Sequence, residues 1–454
     1  MIGAHARFSP RDTIFAPASG GGRAAIAVVR LSGPACASAL AALAPGARFA
    51  DRVATLSALR DPVACEALDR ALVVRFLAPR SFTGEEMAEL HVTGGRAVLA
   101  GVLGALAKIP GLRPAEPGEF AWRAFENGKL DLSEVEGLAD LVEAETAAQR
   151  RQALRIAGGA LSRETEEIRS KLVEAMAILE AQIDFSDVED ADALSLDAAR
   201  ALVGEAAGRV RAALAGAEAG ARLREGFNVV IAGPPNVGKS TLMNALARRD
   251  VSIVSAIPGT TRDLVEVSLE LRGYPVTLVD TAGIRESDDP IEREGVARAR
   301  RRAEEADLTL WLTEAAEPIA APFPGGGPAI AVLTKSDRLP AQGSEFGSTP
   351  SAGAPIRISA LTGAGIGELL DAVADLAEER MAGPAPALIT LERHRSAFAG
   401  ALDALERALD PACRELELVA EDLRLAARAL ERIAGRIDVE EVLGDIFSRL
   451  CVGK

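Results

Sequence analysis

Apolar and polar positions along this chain fall into blocks of different period. Near the N-terminus, AAIAVVRLSG (24–33), ALVVRFLAP (71–79) and AELHVTGG (88–95) are short apolar runs broken by glycine and proline, which predicts strands. MAELHVTGGRAVLAGVLGAL (87–106) changes period at its glycines and predicts strand, turn and helix. From 131 to 220 the pattern is helical. In LDLSEVEGLADLVEAE, Leu132, Val135, Leu138, Leu141 and Val142 recur at helical spacing, and Ser133 with Glu136 predicts a capping box. The acidic run DFSDVEDAD (184–192) predicts a break between helices. Strand-like runs return at FNVVIA (227–232), VTLVD (276–280) and AIAVLT (329–334). GPAPAL (383–388) reads as a linker, and helical period resumes after it, as in LRLAARALERIAGRI (423–437).

These blocks predict a multidomain chain of α/β and all-α parts. An α/β domain spans 1–128. A helical domain spans 129–222 and 383–454, and an α/β domain over 223–382 is inserted into it, which requires the insert's ends to lie close together. Gly20-Gly21-Gly22 reads as a flexible turn.

Composition narrows the classes. The chain has 454 residues, enough for about three domains. Aromatics are 4%, so its cores are expected to be aliphatic and largely helical. A net charge of −15 argues against a surface that is basic throughout, so any polyanion needs a local patch or a second protein. Cysteines at 36, 65, 413 and 451 have no metal or redox spacing, and reduced thiols in a cytoplasmic protein are the plain expectation. No apolar run is long enough to predict a membrane span.

The clearest chemistry lies in FNVVIAGPPNVGKSTLMNAL (227–246). The loop fits G-x-x-x-x-G-K-[ST] through Gly233, Gly238, Lys239 and Ser240, between a strand-like and a helix-like run. Backbone N–H groups from Asn236 to Thr241, Val237 and Gly238 among them, can then curl around phosphate oxygens at a helix N-terminus. Lys239 is placed for the β- and γ-phosphates, and Ser240 for magnesium. PGTTRD (258–263) offers Thr260 and Thr261 to the metal shell. DTAG (280–283) offers Asp280 to magnesium through water and the Gly283 N–H to a γ-phosphate. Thr334-Lys335-Ser336-Asp337 then offers a carboxylate, Asp337, that accepts two hydrogen bonds from guanine but not from adenine. RISAL (357–361) supplies Ser359 and Ala360.

In this order the set resembles the guanine-nucleotide domain of translation-factor-like, Ras-like P-loop GTPases. Two departures stand out. Threonine replaces asparagine at 334, so a contact to the base or phosphate loop is expected to weaken. Ile284 stands where Ras-like proteins carry glutamine, so the hydrolytic helper must come from elsewhere; Glu286, Glu292 and Glu294 are the nearby carboxylates. For these carboxylates, and for the basic cluster Arg298, Arg300, Arg301 and Arg302, a solvated helix face is the commoner reading.

Over almost the whole chain the resemblance becomes more specific. DTIFAPASGGGRAAIAVVRLSGP, SFTGEEMAELHVTGG, RPAEPGEFAWRAFENGKLDLSEVEGLADL and the terminal FSRLCVGK resemble the MnmE (TrmE) family of tRNA-modification GTPases. The resemblance implies that the N-terminal domain binds folate and dimerises. Arg30, Glu89, Lys129 and Lys454 would then contact a tetrahydrofolate derivative, 5-formyl- or methylene-tetrahydrofolate. A guanidinium and ammonium suit the folate carboxylates, and a carboxylate suits the pterin N–H groups. Cys451 becomes a candidate catalytic thiol, although a small buried apolar role suits it equally.

The resemblance further implies Mg²⁺ on Ser240 and Thr261, and K⁺ near Asn236, lined by Ser255, Ile257 and Thr260. Glu292 would position water when two nucleotide domains face each other. Implied partners are a second copy of the chain, tRNA and an FAD-dependent protein, MnmG (GidA). The implied product is an aminomethyl or carboxymethylaminomethyl group on carbon 5 of the wobble uridine. Two rivals remain at this level. A ribosome-assembly GTPase of the Era or Der type would need an RNA-binding appendage or a second nucleotide domain. A folate-dependent aminomethyltransferase with an accessory nucleotide domain would modify tRNA independently of GTP hydrolysis.

Overall fold

The computed structural model describes residues 12–20, 22–184, 193–234, 236–249, 266–280, 306–316, 328–338, 355–383, 387–411, 415–435 and 453. The chain divides into two compact units. One comprises Met1–Ala139, Ile156–Ala206 and Asp403–Lys454, and the other Asp140–Arg155 and Ala207–Leu402. The second is therefore enclosed, in sequence, by segments of the first.

The first unit contains a six-stranded sheet. Its strands are β1 (Thr13–Pro17), β2 (Ile26–Ser32), β3 (Thr55–Arg60), β4 (Ala67–Phe76), β5 (Met87–Thr93) and β6 (Leu112–Pro114), in the order β3-β4-β5-β2-β1-β6. Only β1 and β6 pair in parallel. The three strands predicted here are β2, β4 and β5; β1, β3 and β6 carried too few alternating residues to stand out. Period-2 alternation sends Ala27, Val29, Leu31, Ala88, Leu90 and Val92 into one core, with α1 (Cys36–Leu43) and α2 (Arg96–Ala107) packed on it. Arg30 and Glu89 are thereby left on the opposite face, directly across from each other in the β2–β5 register. Helix α3 (Glu119–Glu126) follows, with Phe120 buried among Ile14, Ala16 and Ala115.

Helix α4 (Leu132–Glu143) corrects one expectation. Ser133 and Glu136 do not form its cap: both are buried inside the helix. The reciprocal box is made two residues earlier, where the Glu134 N–H donates to Asp131 Oδ1 at 3.0 Å and the Asp131 N–H to Glu134 Oε2 at 2.9 Å. Leu132 decides the start, because it is fully buried with Ala121 and Val135 and must already lie on the helix.

Helices α5 (Ala147–Ala157), α6 (Ala160–Asp184), α7 (Ala193–Ala215) and α8 (Ala217–Glu225) continue the chain. On α6 the buried positions Leu161, Thr165, Ile168, Leu172, Ala175 and Leu179 alternate spacings of three and four. That is the seam of an antiparallel helix pair, whose direction is set by the ion pairs Arg169–Glu431 and Glu180–Arg424. Its partner is α12 (Leu416–Ala434), which buries Ala420, Leu423, Ala427 and Leu430. Gly435, at φ +79°, ends this helix in the left-handed conformation, short of the end of the helical run read from the sequence.

The second unit is a doubly wound α/β sheet. It contains β7 (Phe227–Ala232), β8 (Glu266–Leu271), β9 (Tyr274–Asp280), β10 (Leu308–Glu314), β11 (Ala329–Thr334) and β12 (Ile356–Arg357), in the order β12-β11-β10-β7-β9-β8. All pairs are parallel except β8–β9. Helices α9 (Lys239–Ala247) and α10 (Ile366–Met381) share its core with Phe227, Val229, Ile231, Leu310 and Leu312. Helix α11 (Glu392–Leu409) follows in the chain. Strands on the two sides of β7 are reached by connections running in opposite directions. The carboxyl end of β7 is thus the switch point where such sheets bind ligands.

Candidate functional site

The loop leaving β7 carries out its expected turn because two of its glycines have no substitute. At Gly233, φ is +148° and a Cβ would meet the Leu312 carbonyl oxygen at 2.4 Å, so the loop passes β10 only without a side chain. Gly238, the N-cap of α9, has φ +108°. Asn236 also adopts positive φ, +62°. The buried Lys239 turns back over the loop, and its Nζ donates to the carbonyls of Gly233 at 2.8 Å and Pro234 at 2.9 Å. The ammonium is thus fixed at the mouth of the phosphate cradle, with the α9 N-terminus adding its partial positive charge.

Ser240 Oγ donates to Asp280 Oδ2 at 3.1 Å. A hydroxyl and a carboxylate meeting beside the cradle are hard oxygen donors of the kind magnesium takes. Thr241 is exposed on the first turn of α9. Ser255, Ile257, Thr260, Thr261, Gly283 and Glu292 lie outside the described residues, as do Ile284, Glu286 and Glu294 and the arginines 298–302.

Residues at the ends of β11 and β12, distant in sequence from the phosphate loop, join its neighbourhood in a single rim. The buried Thr334 hydroxyl donates to the Val237 carbonyl at 2.6 Å, with the Thr313 carbonyl at 3.3 Å. Threonine at 334 thus makes a contact of its own to the phosphate loop. Lys335, at φ +57°, donates to Glu314 Oε2 at 2.8 Å, a partner at the end of β10 that the sequence did not announce. Asp337 is exposed, and its Oδ1 accepts from Ser359 Oγ at 2.6 Å. That hydrogen bond holds the Asp337 carboxyl below the usual aspartate range, so it is an acceptor at neutral pH. Ser359 is buried and fixed by its N–H to the Ala364 carbonyl at 2.9 Å, and Ala360 follows it, half-buried.

A second constellation lies in the first unit. Arg30 Nε and Nη2 both donate to Glu89 Oε1, at 3.1 and 3.0 Å. The guanidinium carbon lies 5.4 Å from the Phe82 ring centre and 5.9 Å from that of Phe120. His91 Nε2 is 3.4 Å from the other Glu89 oxygen. Arg30 and Glu89 are thus brought together, as partners of each other. Lys129 instead donates to the Pro79 carbonyl at 3.0 Å. Cys451 and Lys454 are outside the described residues, but Gly453, between them, accepts from Arg30 Nη1 at 3.2 Å.

Sequence reasoning missed the support beneath this site. Arg123, buried, donates to Glu85 Oε2 at 3.0 Å, to Glu119 Oε1 at 3.0 Å and to the Asp12 carbonyl at 2.9 Å. Glu119 is fully buried; burial would raise its pKa, yet hydrogen bonds from Arg113, the Glu116 N–H and Arg123 bring it below the usual range. Ser32 Oγ donates to Glu85 Oε2 at 2.6 Å. The network joins the loop carrying Phe82 to the helix carrying Phe120. The only signal was the density of charged residues inside SFTGEEM and PGEFAWRAF.

Known proteins bear on both constellations. A family model described as the MnmE helical domain matches residues 132–451, and one described as the GTP-binding protein TrmE N-terminus matches 13–129. A tRNA modification GTPase MnmE of Beijerinckia indica subsp. indica is 53% identical over 443 residues, 98% of this chain and 96% of the relative. One of Methylobacterium sp. (strain 4-46) is 54% identical over 451 residues, 98% and 100%. Among solved structures, the G domain of the T. maritima FeoB iron transporter is 23% identical and covers 33% of this chain and 98% of its own, with a TM-score of 0.23.

Proposed function

The chain belongs to the MnmE family of tRNA modification GTPases, and from that premise we propose that it hydrolyses GTP in a cycle that drives a one-carbon modification of the tRNA wobble uridine. The observation that carries the nucleotide half is the rim formed by Lys239, Thr334 and Asp337. The ammonium is set across the phosphate loop, the threonine hydroxyl ties that loop to the base-reading segment, and the carboxylate is kept anionic by Ser359.

On GTP binding, Lys239 exchanges loop carbonyls for phosphate oxygens. The neutral carbonyls it releases are cheaper to leave than phosphate charge is to gain. Asp337 accepts the two N–H groups of guanine. Ser240 and Thr261 would hold Mg²⁺, which supplies charge neutralisation between the phosphates. Asn236, Ser255, Ile257 and Thr260 would hold K⁺ in the same cause. Glu292 orients the attacking water when two nucleotide domains of a homodimer meet, and takes the place left open by Ile284.

For the carbon-transfer half, the donor set around Arg30 suits a reduced pterin: two aromatic rings, a half-buried carboxylate and a guanidinium. Bound there, a 5-formyl- or methylene-tetrahydrofolate would supply the one-carbon unit. Arg30, Glu89, Lys129 and Lys454 would hold and orient it, and Cys451 lies within the same terminal motif. The redox step falls to the FAD-dependent partner MnmG, because the sequence contains no flavin motif. The acidic net charge favours a division in which that partner holds most of the tRNA. No helix among the described residues is long and apolar enough to cross a membrane, and work on tRNA in the cytoplasm accords with that.

The test is to measure aminomethyl- and carboxymethylaminomethyl-uridine in tRNA from cells carrying the wild-type chain, no chain, or Lys239→Ala. The modification is expected only with the wild type. Undiminished modification with Lys239→Ala would separate carbon transfer from GTP and favour the aminomethyltransferase rival.

A further inference from the structure

Asp337 sits between two cations of its own segment, with Lys335 two residues before it and Arg338 directly after it. An exposed aspartate so placed would be expected to pair with one of them. Instead, a third residue takes both. The β10–β11 register sets Glu314 against Thr334, at the start of this segment. Glu314 Oε2 accepts from Lys335 Nζ at 2.8 Å, and Glu314 Oε1 accepts from Arg338 Nη1 at 3.4 Å. Each carboxylate oxygen thus holds one cation. The Lys335 hydrogen bond keeps the Glu314 carboxyl below the usual glutamate range, so it is anionic at neutral pH. Among the described residues Asp337 forms no ion pair, and its Oδ1 accepts from the neutral Ser359 hydroxyl at 2.6 Å. Arg338 is close enough to compete. After the Ser359 hydrogen bond, its charge also lowers the Asp337 carboxyl. Its side chain is 67% exposed, so packing does not fix it where it is.

We propose that Glu314 is a positioning residue for guanine recognition: by holding Arg338 it keeps that guanidinium off Asp337 and leaves the carboxylate open to the base. The inference rests on the reading of Asp337 as the guanine acceptor. Guanine and arginine offer a carboxylate the same chemistry, an edge with two adjacent N–H donors. They are therefore direct competitors for one group, and the arginine is tethered beside it. Every Asp337 occupied by Arg338 is lost to nucleotide, so apparent affinity falls with the fraction left open. Glu314 shifts that balance from the neighbouring strand without itself facing the base. Exposed ion pairs are weak, so the effect expected is about two- to fivefold.

The experiment is calorimetric titration of the full-length protein with GDP, which reports the base contact without hydrolysis. Glu314→Gln should weaken GDP binding by about two- to fivefold. Arg338→Gln alone should stay within about 1.5-fold of wild type, and adding it to Glu314→Gln should restore wild-type affinity to the same margin. That rescue separates the proposal from a role of Glu314 in placing Lys335, which removal of Arg338 would not repair. Thermal unfolding midpoints report whether each variant is folded. Should Glu314→Gln fold poorly, Glu314→Asp, which draws the charge back by one methylene, should give a smaller loss that Arg338→Gln also removes. Wild-type affinity in both Glu314 variants, or a loss that persists when Arg338 is removed, would overturn the proposal. Asp337→Asn tests the reading beneath it. If that variant binds GDP as wild type does, the guanine reading fails and this inference with it. If it loses GDP while the Glu314 variants do not, the inference alone fails.

Discussion

Thr334 and Val237 are 97 residues apart in sequence, and the hydroxyl of one donates to the carbonyl of the other at 2.6 Å. Through that bond the segment proposed to read guanine is anchored to the loop proposed to hold phosphate. A displacement of either is therefore felt by both ends of the nucleotide.

Thr334→Val keeps the shape and removes the donor. The Val237 carbonyl loses its partner in a buried place, which costs about 1–3 kcal/mol. GTP affinity is expected to fall by about tenfold, measured by titration calorimetry, with guanine preference over adenine unchanged because Asp337 is untouched. An unchanged affinity would show that the loop keeps its shape without this anchor.

Arg123→Met removes the buried cation shared by the half-buried Glu85 and the fully buried Glu119, which keeps Arg113 as its other partner. Breaking one side of such a pair costs about 3–5 kcal/mol. Denaturant unfolding of the variant should show that loss, and adding Glu85→Gln should recover part of it. Simple addition of the two effects would mean that the residues do not act as a network.

Asp61 gives an acid-stability prediction with a definite sign. Hydrogen bonds from Lys108 at 2.7 Å and from the Ala64 and Val63 N–H groups at 2.8 and 2.9 Å hold its pKa at about 2. The unfolded value is about 3.9. A lowered folded pKa contributes stability that is complete above the unfolded value and is lost as pH falls through the folded one. Asp61→Asn should therefore flatten the loss of stability between about pH 4 and 2, read as unfolding midpoints across that window. Parallel profiles for the two proteins would refute it.

Potassium is expected to raise GTP turnover relative to sodium, on the strength of Asn236 and the absence of a catalytic glutamine after DTAG. The comparison needs equal ionic strength. Equal rates in the two salts would remove the cation from the mechanism.

Glu292→Ala should bind GTP with wild-type affinity and hydrolyse it more than about a hundredfold more slowly, the scale of a lost water-positioning group. Single-turnover hydrolysis separates the two quantities. Turnover within about twofold of wild type would exclude Glu292.

Much of both candidate sites is legible in the amino-acid sequence, and the reasons differ by residue. Lys239, Ser240 and Asp280 are readable because phosphate binding uses a local loop of fixed spacing at the end of a strand. Arg30 and Glu89 have no such local signature and come only from resemblance. Their mutual pairing is set by the β2–β5 register, which joins positions 59 apart. Glu314 as the partner of Lys335, and Arg123 with Glu85, are unreadable for the same reason. The capping box is misplaced by two residues in a reading of the sequence because Ser133 and Asp131 are both good caps, and burial of Leu132 chooses between them.

The sequence by itself determined the period of the longer elements, β2, β4, β5, β7, β9 and β11 and the helical blocks, together with the phosphate loop and the interruption of helical sequence by an α/β insert. These depend on contacts within about one turn or one strand, so neighbouring residues suffice to specify them. Only the tertiary structure decided which charges meet: Arg30 with Glu89 and the Gly453 carbonyl, Asp337 with Ser359, Thr334 with the phosphate loop. A hydrogen bond between distant positions exists only after sheet register and chain reversal have set its ends within about 3 Å, and no local pattern encodes that distance.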